Sequence, residues 1–296
     1  MKKVMASLTA AAILISSPTL AKTSAEVSKE AVKTAESKAK ATQEQIHIVK
    51  EAVEAVVLTK KVLIDLEKKD LKKAKEDLEK AIGKLEVILA FKNAPLMLPI
   101  DSEVVAVEYT GDLKSIKESL ELVKDLLDKN KVQDARRILD TLQSEIDIIT
   151  INLPLASYPQ ALKLAAKYLN EGKIKEAEDV LDMALNTLVK EITVIPIPIL
   201  KAQALVDAAS KIAKKDKNQA IKHLEEAKRQ LKIAEALGYT STSDTTYKML
   251  YDAIEKLEKE IKGKNRSEKL FENLIEKLKE FKEKAIRTLH SSEANQ

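Results

Sequence analysis

The sequence predicts an all-α protein of antiparallel helical hairpins packed as a bundle, and three observations carry that prediction. Gly occurs 5 times and Pro 7 times in 296 residues and aromatics make up 3%, so the residues that strands and tight turns need are scarce. Apolar side chains recur at helical spacing along most of the chain. Short polar breaks divide these periodic runs into pairs. Hydrophobic residues make up 45% and charged residues 33%, the composition of a folded chain long enough to bury one large or two smaller cores.

The N terminus stands outside that scheme. Met1-Lys2-Lys3, the apolar run Val4 to Ile15, Ser16-Ser17-Pro18 and the small-residue pattern Thr19-Leu20-Ala21 are the three parts of a secretory signal. Residues 1–21 are therefore read as a cleavable signal peptide and the mature chain as periplasmic, with Ala25 as a second cleavage site. The apolar run falls short of the roughly 20 residues a membrane helix needs, so no stable membrane insertion is expected after cleavage. Cysteine is absent, which leaves stability to packing in an oxidising compartment. The net charge of +4 includes Lys2 and Lys3; without them 49 basic face 47 acidic side chains, too even a balance to predict a nucleic-acid partner.

Residues 22–43 are Ala, Lys, Ser, Thr and Glu with few large apolar groups, a polar helical leader or linker. The first hairpin follows from Glu44, with Ile46, Val49, Val53, Val56 and Val57 before the break Lys68-Lys69-Asp70 and Leu71, Leu78, Ile82 and Leu85 after it. A second runs from Leu113 to Leu127 and from Val132 to Ile146. A third joins Tyr158–Leu169 to Ile174–Val189 through Asn170-Glu171-Gly172, where Gly suits a helix end. A fourth joins Ile199–Ile212 to Ala220–Leu237.

The second helix of each pair carries Ala, Leu four residues on, and Ala or Leu three further: Ala74-Leu78-Ala81, Ala135-Leu139-Leu142, Ala177-Leu181-Ala184 and Ala220-Leu224-Ala227. That spacing places all three on one face, with the small Ala admitting a close neighbour. The last three signatures start 42 and 43 residues apart, which keeps a tetratricopeptide-like helical repeat, and an adaptor role, as an alternative. Beyond the 44–237 helical domain, Gly238 to Asp244 reads as a linker. A C-terminal hairpin (238–296) follows, with Leu250, Ile254, Leu257 and Ile261, then Leu270, Leu274, Leu278 and Phe281. Gly263 ends its first helix, Asn265 with Glu268 resembles a capping box, and its thin apolar stripe suggests an appendage.

The connectors are unusual. Asn93 to Tyr109, Thr150 to Pro159 and Thr193 to Pro198 are apolar, β-branched and Pro-containing, where a solvated loop is normally polar. Pro favours extended backbone, so they are expected to pack under or between helices, with one minor strand near 104–109. A cleft where Leu153-Pro154-Leu155 meets Ile195-Pro196-Ile197-Pro198 is the candidate ligand or partner site. Asn152 and Tyr158 are its polar handles, and Tyr109, Pro159, Pro196 and Pro198 complete it.

In the same connectors, Ile149-Thr150-Ile151-Asn152-Leu153-Pro154-Leu155, then Tyr158-Pro159, an Ala-rich helix, Glu171-Gly172-Lys173 and Glu176-Ala177, resemble the core of the bacterial YfdX family. Val194 to Ala202 resembles it too. The resemblance is specific over about Asp112 to Leu237, weaker over Glu44 to Tyr109, and absent from the C-terminal hairpin. It implies a small helical envelope protein associated with acid or other stress, chaperone-like or ligand-binding, with no catalytic residues to carry over.

Motifs for chemistry are sparse. Of the His residues at 47, 223 and 290, only Glu44-Gln45-Ile46-His47 has the Glu-x-x-His step of carboxylate metal bundles, and it has no second copy. His223, among charged neighbours, reads as solvated. Phosphate-binding loops, nucleophile elbows and HExxH motifs are missing. A non-enzymatic protein with no cofactor is expected. Its partners are other proteins or small apolar molecules, it forms a homo-oligomer, and a carboxylate metal site is the remaining alternative.

Overall fold

The computed structural model of the chain describes residues 22–241, 245–262 and 268–292. Among them are eleven helices and four strands. The predicted signal, part of the Gly238–Asp244 linker, and Gly263 with Asn265 lie outside the described residues. The chain divides into two compact units.

One unit comprises the described residues of Ala41–Val104, Ile148–Thr193 and Thr288–Gln296. Its helices α2 (Lys50–Glu67), α3 (Leu71–Leu89), α6 (Tyr158–Asn170) and α7 (Ile174–Leu185) pack in a ring, α2 on α3, α3 on α6, α6 on α7 and α7 on α2. That is a four-helix bundle assembled from two hairpins, each of sequence-adjacent helices, with α4 and α5 between them in the chain. Its core holds Ala74, Leu78 and Ala81 with Ala177, Leu181 and Ala184. Those side chains have at most 1% exposure, so the small-large-small face does what its spacing predicts.

The other unit comprises the described residues of Met1–Lys40, Val105–Asp147 and Val194–Arg287. Here α8 (Ile197–Ile212), α9 (Lys217–Ala236), α10 (Thr245–Lys262) and α11 (Glu268–Ala285) close a second ring, with α4 (Leu113–Asp128) packed on α9 and α5 (Val132–Leu139) on α4. The C-terminal hairpin is thus half of a core and not an appendage. Leu250, Ile254, Leu257, Leu274, Leu278 and Phe281 are buried against Leu205, Ala220, Leu224 and Leu231. The leader forms α1 (Ser24–Glu44), whose Val27 reaches this same core.

Strands β1 (Met97–Val107), β2 (Glu145–Pro154), β3 (Val189–Pro196) and β4 (Arg287–Ser292) form one sheet in the order β1-β2-β3-β4. The unit boundaries fall within all four strands. Leu155 N–H donates to Leu96 O and Ser102 Oγ to Ile149 O, so β1 and β2 run antiparallel. The fold is mainly helical with a minor sheet, and each apolar connector supplies a strand. The strand expected near 104–109 begins earlier, at Met97, and is one of four. The second hairpin is shorter than its periodicity suggested. Helix α5 ends at Leu139, which is 42% exposed, and Ile146 lies in β2. The β-branched run from Ile146 to Ile151 favours extended backbone and takes residues the helical pattern had claimed. For the same reason α7 ends at Leu185 and Val189 opens β3.

One turn recurs four times. Lys69, Asn130, Gly172 and Gly238 have φ of 60°, 57°, 74° and 82°. The next residue's N–H reaches back to Asp65, Leu126, Tyr168 and Ala234 O in turn, at 2.8–2.9 Å. This is the left-handed closure that satisfies part of a helix end's free carbonyls. Lys69 takes up that conformation with a Cβ, so Lys69→Gly is expected to raise stability by about 0.5–1 kcal/mol, read as a higher urea midpoint; a lower midpoint would refute the strain.

Candidate functional site

The connector residues do not line an open cleft. Asn152 is 5% exposed and Tyr158 fully buried, Pro159 is buried, and Pro154 half-buried. Leu153, Leu155 and Tyr158 belong to the core of the α2/α3/α6/α7 unit. Pro196 and Pro198 are buried in the other unit. Tyr109 is half-buried and covers Gly111, where a Cβ would stand 2.5 Å from the ring hydroxyl. Pro at the start of α6 and α8 suits a first helical turn, whose N–H groups have no intrahelical partner.

Burial pushes the Tyr158 hydroxyl up to about 12, a rise that nearby Thr59 slightly offsets. Thr59 Oγ donates to Ala55 O at 2.8 Å, and the Tyr158 hydroxyl has no partner of good geometry. A buried hydroxyl without a partner costs stability. Tyr158→Phe should therefore leave the melting temperature unchanged or raise stability by about 1 kcal/mol. A loss of similar size would show that the hydroxyl holds a partner.

Charged groups at helix seams are the features periodicity did not foretell. Asp77 on α3 is 1% exposed. Its carboxylate is held by Lys61 Nζ of α2 at 2.5 Å and Lys80 Nζ at 2.9 Å. The hydrogen bonds from these two ammonium groups hold its pKa below the ordinary Asp value against the opposing effect of burial. Asp65 of α2, 2% exposed, faces Lys73 of α3 at 3.3 Å. Two pairs reaching across in opposite directions pin the α2–α3 register, since each carboxylate is buried under lysine stems whose ends reach solvent.

In the other unit His223 of α9 is 1% exposed, where a solvated side chain was expected. Its sequence neighbours are charged, but it lies at helical spacing from Ala220, Ala227 and Gln230 and shares their buried face. Its Nδ1 stands 2.8 Å from Ser24 Oγ of α1. Burial lowers its pKa by penalising the imidazolium, and Asp216 opposes that in part. Nearby, Gln219 Nε2 donates to Lys22 O. Thr23 and Glu26 form a reciprocal capping box that starts α1: Thr23 N–H and Oγ donate to Glu26 Oε2, and Glu26 N–H donates to Thr23 Oγ. The Thr-x-x-Glu spacing was readable in the sequence as the start signal of this helix.

Tyr239, just past the α9 end, accepts from Ser144 N–H at 2.8 Å and donates to Glu145 Oε2 at 2.7 Å. Burial is the main cause raising its pKa. Glu44 ends α1 while His47 lies exposed beyond it, so the Glu-x-x-His step does not share a helix face. Among the described residues, no three His, Asp or Glu side chains cluster with metal-binding geometry, and no helix is long and apolar enough to cross a membrane.

Paired hairpins, a minor sheet fed by apolar connectors, and charge-locked seams define a helical protein of a recognisable class. Residues 55–194 match the family model described as YfdX protein. The match starts nearer the N terminus and ends sooner than the stretch from Asp112 to Leu237 that looked most specific. Among solved structures the chain is similar to the YfdX of Salmonella Typhi, at 16% identity and a TM-score of 0.36 over 51% of this chain and 93% of that one. No curated protein sequence matches it.

Proposed function

We propose that the protein is a non-catalytic, exported envelope protein of the YfdX type. In this reading it senses acid by loosening its helix seams and then offers apolar surface to other proteins or small apolar molecules. The observation that carries this is His223, buried with its Nδ1 2.8 Å from Ser24 Oγ of α1 and its pKa lowered by that burial. A histidine whose folded pKa is depressed binds fewer protons folded than unfolded, so stability is lost as pH falls through and below its unfolded value of 6.5. Asp77 supplies a second step. Its folded pKa is also depressed, so its contribution is complete above the unfolded value of 3.8 and is lost as pH falls below that value. The surface released by the lower step includes Leu153, Leu155 and Tyr158, which links the acid response to the connector residues.

Light scattering with an apolar dye from pH 7 to pH 3 tests the reading. Dye binding or mass is expected to change first as pH falls from about 6.5, and again below about 4. Unchanged mass, shape and dye binding throughout would overturn it.

Export is part of the proposal, and the α1 contacts favour one cleavage site. Cleavage after Ala21 leaves Thr23, Ser24 and Glu26 in place, whereas cleavage after Ala25 removes the helix cap and the Ser24–His223 contact. N-terminal sequencing of the exported protein should begin at Lys22; a start at Glu26 would contradict this.

A further inference from the structure

We propose that a groove between the N-terminal turn of α4, the middle of α9 and the first half of α10 binds a small polyanion, a ligand bearing two or more phosphate or carboxylate groups. The groove is open to solvent along one side and has a volume of about 450 Å³, within the size range of small-molecule sites. Four cations line it, Lys114 from α4 and Lys228, Arg229 and Lys232 from α9, against two carboxylates, Asp112 and Glu225; Leu113 and Tyr251 complete the lining.

The cations differ in how far they are already engaged. Lys228 is held by Glu258 at 2.9 Å, with Glu255 at 4.0 Å. Arg229 spends Nε and Nη2 on Glu226, which leaves the other terminal nitrogen as a donor. Lys114 is largely exposed and 3.6 Å from Glu118. Lys232 is exposed and lies 5.2 Å from the centroid of the Tyr251 ring. Lys114, Arg229 and Lys232 therefore offer donors from two helices, and the positive end of the α4 dipole adds to them. A ligand with two anionic groups spans such a set better than a single anion.

The carboxylates fit the same reading. Asp112 turns back onto its own helix, accepting from Ser115 N–H at 2.8 Å and Ser115 Oγ at 2.6 Å, so its charge is committed to the cap. Glu225 is exposed and opposes a bound anion. The Tyr251 ring has Lys228 and Lys232 over it, at 5.8 and 5.2 Å, an arrangement that favours a compact charged ligand over stacked nucleic-acid bases. Asp112 to Lys114 fall in the YfdX-matched segment, while the α9 and α10 residues lie beyond it, so the complete groove depends on the part of the chain outside the match.

Titration calorimetry on the full chain at low salt, with pyrophosphate and citrate as probes, tests the site. Saturable one-to-one binding of at least one probe is expected, weakened about tenfold by Lys232→Gln, strengthened several-fold by Glu225→Gln, and lost progressively with added salt. Both substitutions are at exposed positions, and melting curves matching the parent confirm intact folding. The tighter probe identifies phosphoryl or carboxyl groups as the ligand chemistry. No saturable heat with either probe, or equal affinity in the parent and Lys232→Gln, would overturn the proposal.

Discussion

Ending the chain at Gly238 is expected to abolish cooperative folding of the unit built on α8 and α9. The truncation removes Leu250, Ile254, Leu257, Ile261, Phe271, Leu274, Leu278 and Phe281 from that core. Full burial of one such side chain contributes roughly 1.5–3 kcal/mol, so the loss exceeds about 10 kcal/mol and outweighs the roughly 5–15 kcal/mol that holds a domain folded. Helices α8 and α9 would expose Leu205, Leu224 and Leu231, now fully buried. Circular dichroism should therefore lose more helical signal than the removed residues account for, with aggregation on warming. A truncated chain that melts cooperatively and loses only the signal of α10 and α11 would show that the hairpin is an accessory.

The second large effect is expected at Asp77. Replacing it with Ala leaves Lys61 and Lys80 without their shared partner and opens a gap between α2 and α3. Removing one partner of a fully buried pair costs about 3–5 kcal/mol. Here the two lysine side chains are 45% and 60% exposed, so solvent screens them and a loss of about 1–3 kcal/mol at pH 7 is the expectation. The difference between the parent and Asp77→Asn should shrink as pH falls below about 4, because the unfolded parent chain then takes up a proton at Asp77 that the folded carboxylate resists. Urea melts at pH 7 and pH 3 would show this; a difference equally large at both would remove Asp77 from the acid response.

The sequence foretold the paired helices because their cores follow the rules that periodicity encodes. Ala74-Leu78-Ala81, Ala177-Leu181-Ala184 and Ala220-Leu224-Ala227 are buried as their spacing requires. Leu139 broke the pattern because a β-branched run downstream competed for the backbone. The connectors stood out as apolar, but a single chain does not reveal which strands will pair, so their sheet was not legible. His223 was misjudged from its sequence neighbours, when the helical face it shares with Ala220 and Ala227 was the better guide. The C-terminal hairpin was misjudged from its charge: a narrow stripe of Leu, Ile and Phe is enough to close a bundle when the facing helices bring Ala. Lys228, Arg229 and Lys232 carry no spacing that marks them in the sequence, and only the approach of α4 and Tyr251 turns them into a groove.

The most direct test of acid sensing is the thermal midpoint of the α8/α9 unit between pH 7 and pH 5, measured in the parent and in His223→Gln. Gln keeps a group able to hydrogen-bond Ser24 but cannot titrate. The midpoint is expected to fall with pH in the parent and to stay flat in His223→Gln. Equal slopes in the two proteins would contradict a histidine-driven response.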